Sequence, residues 1–307
     1  MNTKSVLSSL ALLVTSMLWG LSFVAQSVGM DNIGPLTFNY VRYFMGFIVL
    51  IPFSVVRFRR NRQLDKSPDL KHFWKKACWA GLLCGLSLAV GIIMQQYAIS
   101  MLPVGKVGFL TALYVILVPI LGLFLKRRVS PLVWICCIVA TVGAYLMCMG
   151  SGSFVIQGGD VLGALSGLFF AVYILIADRF SPHFDGVFLT CIQLFFASLF
   201  CFIPKCIVEP FDASAVWNAI IPLLYSGCVS SALGTTLEMI AQKNVNPTAA
   251  SLIMSLESVF SLIFGWIILK QVMSPVELGG CALVFAAVCI SQIPSTLFRK
   301  TGKKIGN

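Results

Sequence analysis

Glu257 stands in the middle of an apolar run, Asn246 to Pro275 (NPTAASLIMSLESVFSLIFGWIILKQVMSP). A charge at the centre of a hydrocarbon layer costs at least about 2.5 kcal/mol, so a carboxylate kept there marks binding, ion coupling or a dedicated partner. Arg42 is a second charge of this kind. It lies about seven residues into the run that begins at Pro35, roughly 10 Å deep at 1.5 Å per residue. Glu257 is about nine residues, or roughly 13.5 Å, from the opposite face. In a core of roughly 30 Å the two depths differ by about 6 Å, which two long side chains can bridge. Two readings follow. Arg42 and Glu257 face one cavity, paired with each other or with complementary groups of a substrate, or they form a purely structural ion pair.

The other polar residues inside apolar runs are few. Gln95 and Gln96 are adjacent, and neighbours on a helix point about 100° apart, so at most one easily faces a cavity. Gln193 and Gln242 are weaker candidates of the same type. Trp19, Tyr114 and Tyr173 either pack in the core or wall a site by stacking while their polar edges hydrogen-bond. Lys106, near the start of its run, is expected to snorkel to the interface. Glu238, near the end of its run, is expected to pair with Lys243 or an interfacial Arg.

Several chemistries have no residues to support them. The only histidines, His72 and His183, are assigned to loops, and no Cys/His spacing suits a metal. The eleven cysteines, among them Cys84, Cys136, Cys137 and Cys281, are read as small buried hydrophobes. No run gathers a nucleophile, His and carboxylate, so an enzyme is not expected. No G-x-x-x-x-G-K-[ST] phosphate loop points to a primary pump, and no cofactor is implied.

The elements that must position these residues follow from composition. The 307 residues are 58% hydrophobic and 11% charged, with mean hydropathy +0.93. Soluble domains carry about 25% charge. Ten apolar spans are expected: 5–28, 35–56, 77–100, 104–125, 131–149, 160–178, 187–208, 216–240, 248–269 and 276–294. Each crosses roughly 30 Å of hydrocarbon as a helix. The breaks fall at X-Pro steps such as Leu102-Pro103, Ser130-Pro131, Asn246-Pro247 and Ser274-Pro275. The first run is too long for a cleavable signal peptide and reads as a transmembrane helix.

The net charge of +11 sits in short loops, where it sets topology rather than binding nucleic acid. With the N-terminus inside, 18 of the 22 Lys and Arg residues fall on the inner side, including Lys4, the cluster Arg57 to Lys76, Lys126 to Arg128, Arg179, Lys243 and Arg299 to Lys304. Asp31, Asp160, Glu209, Asp212 and Glu277 fall outside. Both termini are therefore expected in the cytoplasm, with the chain in the cell membrane.

The chain is also duplicated. Pro103, Lys126 and Ser130-Pro131 recur without a gap as Pro247, Lys270 and Ser274-Pro275, 144 positions later. The carboxylate does not recur, since Leu113 stands opposite Glu257. LWGLSF (18–23) lies opposite FFAVYI (169–174), and RYFMGF from Arg42 lies opposite QLFFAS from Gln193. Repeats of residues 1–150 and 151–307 with five spans each must lie in opposite orientation, an inverted repeat, which is a recurrent build for secondary transporters. A structural or signalling membrane protein is the alternative, and it has no need of an inverted duplication. Gly81-x-x-x-Gly85 and Gly163-x-x-x-Gly167 allow close helix packing, and the second could serve a homodimer as well as a monomer.

LWGLSFV (18–24), Arg42, GFLTALYVILVPILGLFLKRRVSP (108–131) and SLIMSLESVFSLIFGWIILKQVMSP (251–275) together resemble the EamA-type branch of the drug/metabolite transporter superfamily. The resemblance spans residues 8–294 in two copies. It implies ten helices in two inverted five-helix repeats, a central cavity between the halves, and transport of amino acids, sugars, nucleotide-related compounds or other small metabolites, often outward. Two positions depart from the family pattern. Ser258 replaces the Pro that usually follows the glutamate, which puts a kink there in doubt. Arg127 and Gln271 stand where an acidic residue often ends the fourth and ninth spans.

Overall fold

Inside a bilayer every backbone N–H and C=O must be satisfied within its own segment, so long apolar runs become helices. The computed structural model describes residues 3–64, 70–126, 129, 131–149, 158–270 and 274–291, and its extended elements there are helical throughout. Helices α1 (Thr3–Gly29), α2 (Pro35–Leu64) and α3 (Leu70–Met101) come first. A broken span follows, α4 (Val104–Ala112) and α5 (Tyr114–Phe124), and then α6 (Pro131–Met149). The second half has α7 (Gly158–Phe180), α8 (Gly186–Val208) and the short α9 (Ala213–Asn218). Its next span is composite: α10 (Ile220–Leu224), a π-helical segment (Tyr225–Gly234) and α11 (Thr235–Ala241). A second broken span, α12 (Pro247–Met254) and α13 (Leu256–Leu269), leads to α14 (Pro275–Ser291).

Eight of these stretches are long and apolar enough to cross a membrane. In α6 and α14 the apolar segments are shorter, Trp134–Gly143 and Leu278–Ala287. Two helices exceed the expected spans. α2 runs on through Arg57, Arg59 and Arg60, and α3 starts at Leu70, which puts His72 in a helix rather than a loop. Charged residues end an apolar pattern, but they do not end a helix. Cys84, Cys136, Cys137, Cys191 and Cys201 are buried as expected, whereas Cys78 and Cys206 are exposed. The side chain of Cys281 lies outside the described set, as do Arg127, Arg128, Gln271, the 150/151 repeat boundary and the basic tail.

Small residues decide how closely the helices approach. A methyl group on Gly46 of α2 would meet the Gly227 carbonyl of the π segment, and one on Gly227 would meet the Arg42 carbonyl. Gly81 and Gly85 lie against Ile192, Gln193 and Phe196 of α8. Gly163 and Gly167 abut Leu110 and the Thr111 carbonyl of α4. The second small-residue pair is therefore occupied within the chain.

At the end of the bundle opposite the start of α1, α2 has an unusual cap. The Leu36 and Thr37 amides donate to the Glu209 carboxylate at 2.9 and 2.7 Å, and the Thr37 hydroxyl donates at 2.7 Å. A carboxylate there satisfies orphan N–H groups and meets the positive end of the helix dipole. Glu209→Ala is expected to cost about 1–2 kcal/mol, seen as a lower melting temperature in detergent, with Glu209→Gln losing less. Gly167→Leu is expected to prevent assembly by driving into the Thr111 carbonyl. Gly158→Ala, where an added methyl meets nothing within 4 Å, should elute as the wild type does on size exclusion.

Candidate functional site

The run from Asn246 to Pro275 is built as its punctuation suggests. The Asn246 side chain accepts from the Thr248 amide at 3.0 Å with Pro247 in the first turn, which starts α12. Lys270 ends α13 in a left-handed conformation, φ 56°. Lys126, its counterpart 144 residues earlier, is likewise left-handed at φ 58°. Between these ends the span breaks at Ser255. No proline sits there. Instead Ser251, Ser255, Ser258 and Ser261 each donate a hydroxyl to the carbonyl three residues earlier, at 2.7–2.9 Å. Such back-bonding competes with the helix ladder and bends it. The break survives the replacement of Pro by Ser258 for that reason. It gives Glu257 a place at the first turn of α13.

Glu257 opens onto a cavity lined by residues from both halves of the chain. Trp19, Gln26, Arg42, Gln95, Tyr114, Tyr173 and Glu238 share its wall with Tyr43, Leu88, Ile92, Phe170 and Met254. Gln96, next to Gln95, points elsewhere. It is buried with both amide atoms unpartnered. Gln95 donates to the Thr111 hydroxyl at 3.1 Å.

Arg42 is only 5% exposed. Its Nε donates to the Ser231 hydroxyl at 3.2 Å, and its guanidinium lies 5.1 Å from the centre of the Tyr43 ring. Nη1 has no hydrogen-bond partner. Glu257 is 4% exposed, and Tyr114 shares the cavity wall with it. The direct Arg42–Glu257 ion pair is not formed. Among the described residues no cationic nitrogen lies within 4.0 Å of Glu257 or Glu238. The two side chains share a cavity without forming an ion pair.

Glu238 overturns its expected role. It is 0% exposed and accepts from Tyr173 Oη at 2.9 Å and from Gln242 Nε2 at 2.8 Å, while Gln193 Nε2 donates to Tyr173 Oη at 3.2 Å. Lys243 instead donates to the Phe184 carbonyl at 2.6 Å. Nearness to the end of a helix was a poor guide to solvent, because α1 and α8 pack around α11. The i, i+4 spacing of Glu238 and Gln242 was the available signal. Lys106 also differs from expectation, forming an ion pair with Asp160 at 2.7 Å.

The π segment supplies the remaining wall. Its wider turns leave carbonyls that outside groups can use. Trp19 Nε1 donates to the Ser230 carbonyl at 3.2 Å, and Tyr225 Oη donates to the Leu18 carbonyl at 3.0 Å. Gly234 lies against the Trp19 indole nitrogen. Ser230, Ser231 and Gln26, which the sequence reading did not single out, thus belong with the site. Small hydroxyls and an amide in an apolar span carry too little cost to stand out.

This combination of cavity, broken helices and repeated architecture has known relatives. One uncharacterized transporter of Archaeoglobus fulgidus is 26% identical over 94% of this chain and 87% of its own length. The uncharacterized transporter YoaV of Bacillus subtilis is 24% identical over 85% and 88%. The threonine/homoserine exporter RhtA of Escherichia coli is 29% identical over 60% of each chain. One solved crystal structure shares the fold over 97% of this chain and 99% of its own, with a TM-score of 0.72 at 16% identity. The family model for EamA-like transporters matches twice, over residues 6–149 and again over 157–292, and the chain belongs to that family.

Proposed function

We propose that the protein is a secondary transporter that moves small polar metabolites of the amino-acid type across the cell membrane by alternating access. One observation carries this reading. A buried guanidinium with an unpartnered N–H and a buried carboxylate without a cation face the same cavity. Removing charges from water without pairing them is expensive, so the missing partners are supplied by the cargo. A zwitterion has both, with its carboxylate at Arg42 and its ammonium at Glu257. Gln95, Trp19, Tyr114 and Tyr173 wall the same space, whereas Gln96 lies outside that wall. The exported compounds in the name of the RhtA relatives are amino acids, which agrees with this chemistry.

The alternating-access part of the reading rests on ten spans in two inverted repeats, with α6 and α14 as the fifth and tenth. Two successive family matches support it. So does the packing, in which exchanging the halves maps one set of contacts onto another: α2 with α8 and α6 with α14 onto themselves, and α3–α8 onto the π segment–α2. Arg57, Arg59, Arg60, Lys71, Lys75 and Lys76 gather at the end where α1 begins, which supports cytoplasmic termini. No catalytic role is proposed, and a monomer suffices because both halves of the cavity come from one chain.

Comparison of the metabolites released by cells with and without the protein is expected to show a small set of amino-acid-like compounds exported more strongly. In proteoliposomes, Glu257→Gln and Arg42→Met should each cut transport at low substrate about tenfold or more, the usual consequence of leaving a charged group of the ligand unpaired. Size exclusion must show both variants folded. Wild-type transport by folded Glu257→Gln at two pH values would return Glu257 to a structural role.

A further inference from the structure

Glu209 and Glu238 each accept hydrogen bonds through both carboxylate oxygens, but from different kinds of donor. Glu209 is held by the Leu36 and Thr37 amides and the Thr37 hydroxyl. Backbone amides only donate, so that site suits an ionised carboxylate. Glu238 is held entirely by side chains whose polarity is reversible. Tyr173 Oη donates to its Oε2 at 2.9 Å, Gln242 Nε2 donates to its Oε1 at 2.8 Å, and Gln193 Nε2 donates to Tyr173 Oη at 3.2 Å. All four side chains are buried.

This chain has a second arrangement that satisfies it equally well. Gln193 Oε1 and Gln242 Oε1 are buried without a hydrogen-bond partner. A half turn of either amide exchanges its oxygen and nitrogen with almost no change of shape. A protonated Glu238 needs an acceptor for its O–H. With Gln242 turned, Glu238 Oε1–H donates to Gln242 Oε1. With Gln193 turned, Glu238 Oε2–H donates to Tyr173 Oη, whose own O–H passes on to Gln193 Oε1. The two unpartnered oxygens therefore stand at the ends of the chain, where the protonated form uses them.

The cavity wall includes Glu238 and Tyr173, with both glutamines behind it. Arg42, Tyr43, Tyr114 and Glu257 are the other ionisable groups of that wall. The buried Cys84 thiol of α3 also faces Glu238. α1, α8 and the π segment pack against α11. Their ionisable residues are Lys4, then Cys191, Cys201, Lys205 and Cys206, then Tyr225 and Cys228. Among the described residues none of these forms a hydrogen bond or ion pair with Glu238, and Lys243 is taken by the Phe184 carbonyl. No fixed cation holds Glu238 in its ionised form.

We propose that Glu238 is a proton-binding site of the cavity, separate from the Arg42 and Glu257 groups assigned to cargo, with Tyr173, Gln193 and Gln242 as its reversible hydrogen-bond shell. A hydronium ion arriving through the cavity gives its proton to a Glu238 oxygen and leaves as water, and release is the reverse. The use of that proton rests on the transporter reading above. A proton on Glu238 and an ammonium at Glu257 both add positive charge to one low-dielectric space, so each disfavours the other and the two are exchanged.

The site is tested without cargo, by infrared difference spectra of the purified protein as its buffer is made acidic. Glu257→Gln removes the other carboxyl of the cavity wall. In that background a carboxylic-acid C=O band should appear on acidification and be lost when Glu238→Gln is added, while carboxyls common to both variants cancel. Tyr173→Phe and Gln242→Leu should each displace the band, because each removes one bond to the carboxyl. Glu238→Asp, which keeps a titrating group on a shorter stem, should move the band without abolishing it. Identical acid spectra with and without Glu238→Gln, or a band that none of the other three substitutions moves, would overturn the proton site and leave the cargo reading standing. A mixture of the common L-amino acids should then weaken the wild-type band. A band that the mixture leaves in place, though Glu238→Gln abolishes it, would keep the proton site and overturn its exchange with amino-acid cargo.

Discussion

Charge removed from water inside a helical bundle is costly unless matched, and here Arg42 keeps an unpartnered N–H and Glu257 has no cation beside it. Arg42 is anchored on one side by Ser231 and stacked near Tyr43, with an N–H to spare. Glu257 faces the same space without a cation. Glu238, in the same wall, is held by Tyr173 and Gln242. Two carboxylates and one guanidinium in one low-dielectric space form an arrangement that a soluble core would avoid. Neutral donors satisfy Glu238, while Arg42 and Glu257 both line the cavity.

Keeping those side chains at the cavity requires helices that are interrupted without being lost. The two broken spans achieve this by different chemistry. In α12–α13 a ladder of four serines bends the backbone through i to i−3 bonds. In α4–α5 the break at Leu113 comes before Pro119, whose missing N–H leaves the Val115 carbonyl to accept from the Cys137 thiol. The π segment is a third interruption, and its carbonyls receive Trp19. In each case backbone polarity freed at depth is taken up by a neighbouring side chain, as the absence of water there demands.

The halves are alike in build and unlike in charge. Both broken spans end on a left-handed lysine, and both short helices, α6 and α14, pack on each other at the edge. The carboxylate at Glu257, the guanidinium at Arg42 and the Lys106–Asp160 pair each have an uncharged counterpart: Leu113, Gln193, and Ala250 with Ser9. The likeness in build and the difference in charge are both read directly from the paired positions.

Much of this was legible in the primary structure. Hydropathy picked out the eight helices long and apolar enough to cross a bilayer, because twenty apolar residues have few stable alternatives there. Proline and lysine spacing revealed the repeat, and the cost of isolated charge marked Glu257 and Arg42. Gln95 and Gln96 were separable in principle but not in identity, since the helix rotation that turns Gln95 to the cavity is set by neighbours. Glu238 was misjudged because distance along a helix says nothing about what wraps its end. Lys106 met Asp160 rather than water for the same reason. One-dimensional patterning determined which stretches are apolar and long enough to cross a membrane. Only the packing of helices from distant parts of the chain decided which of them face one another, because contact depends on rotation and neighbours as well as depth.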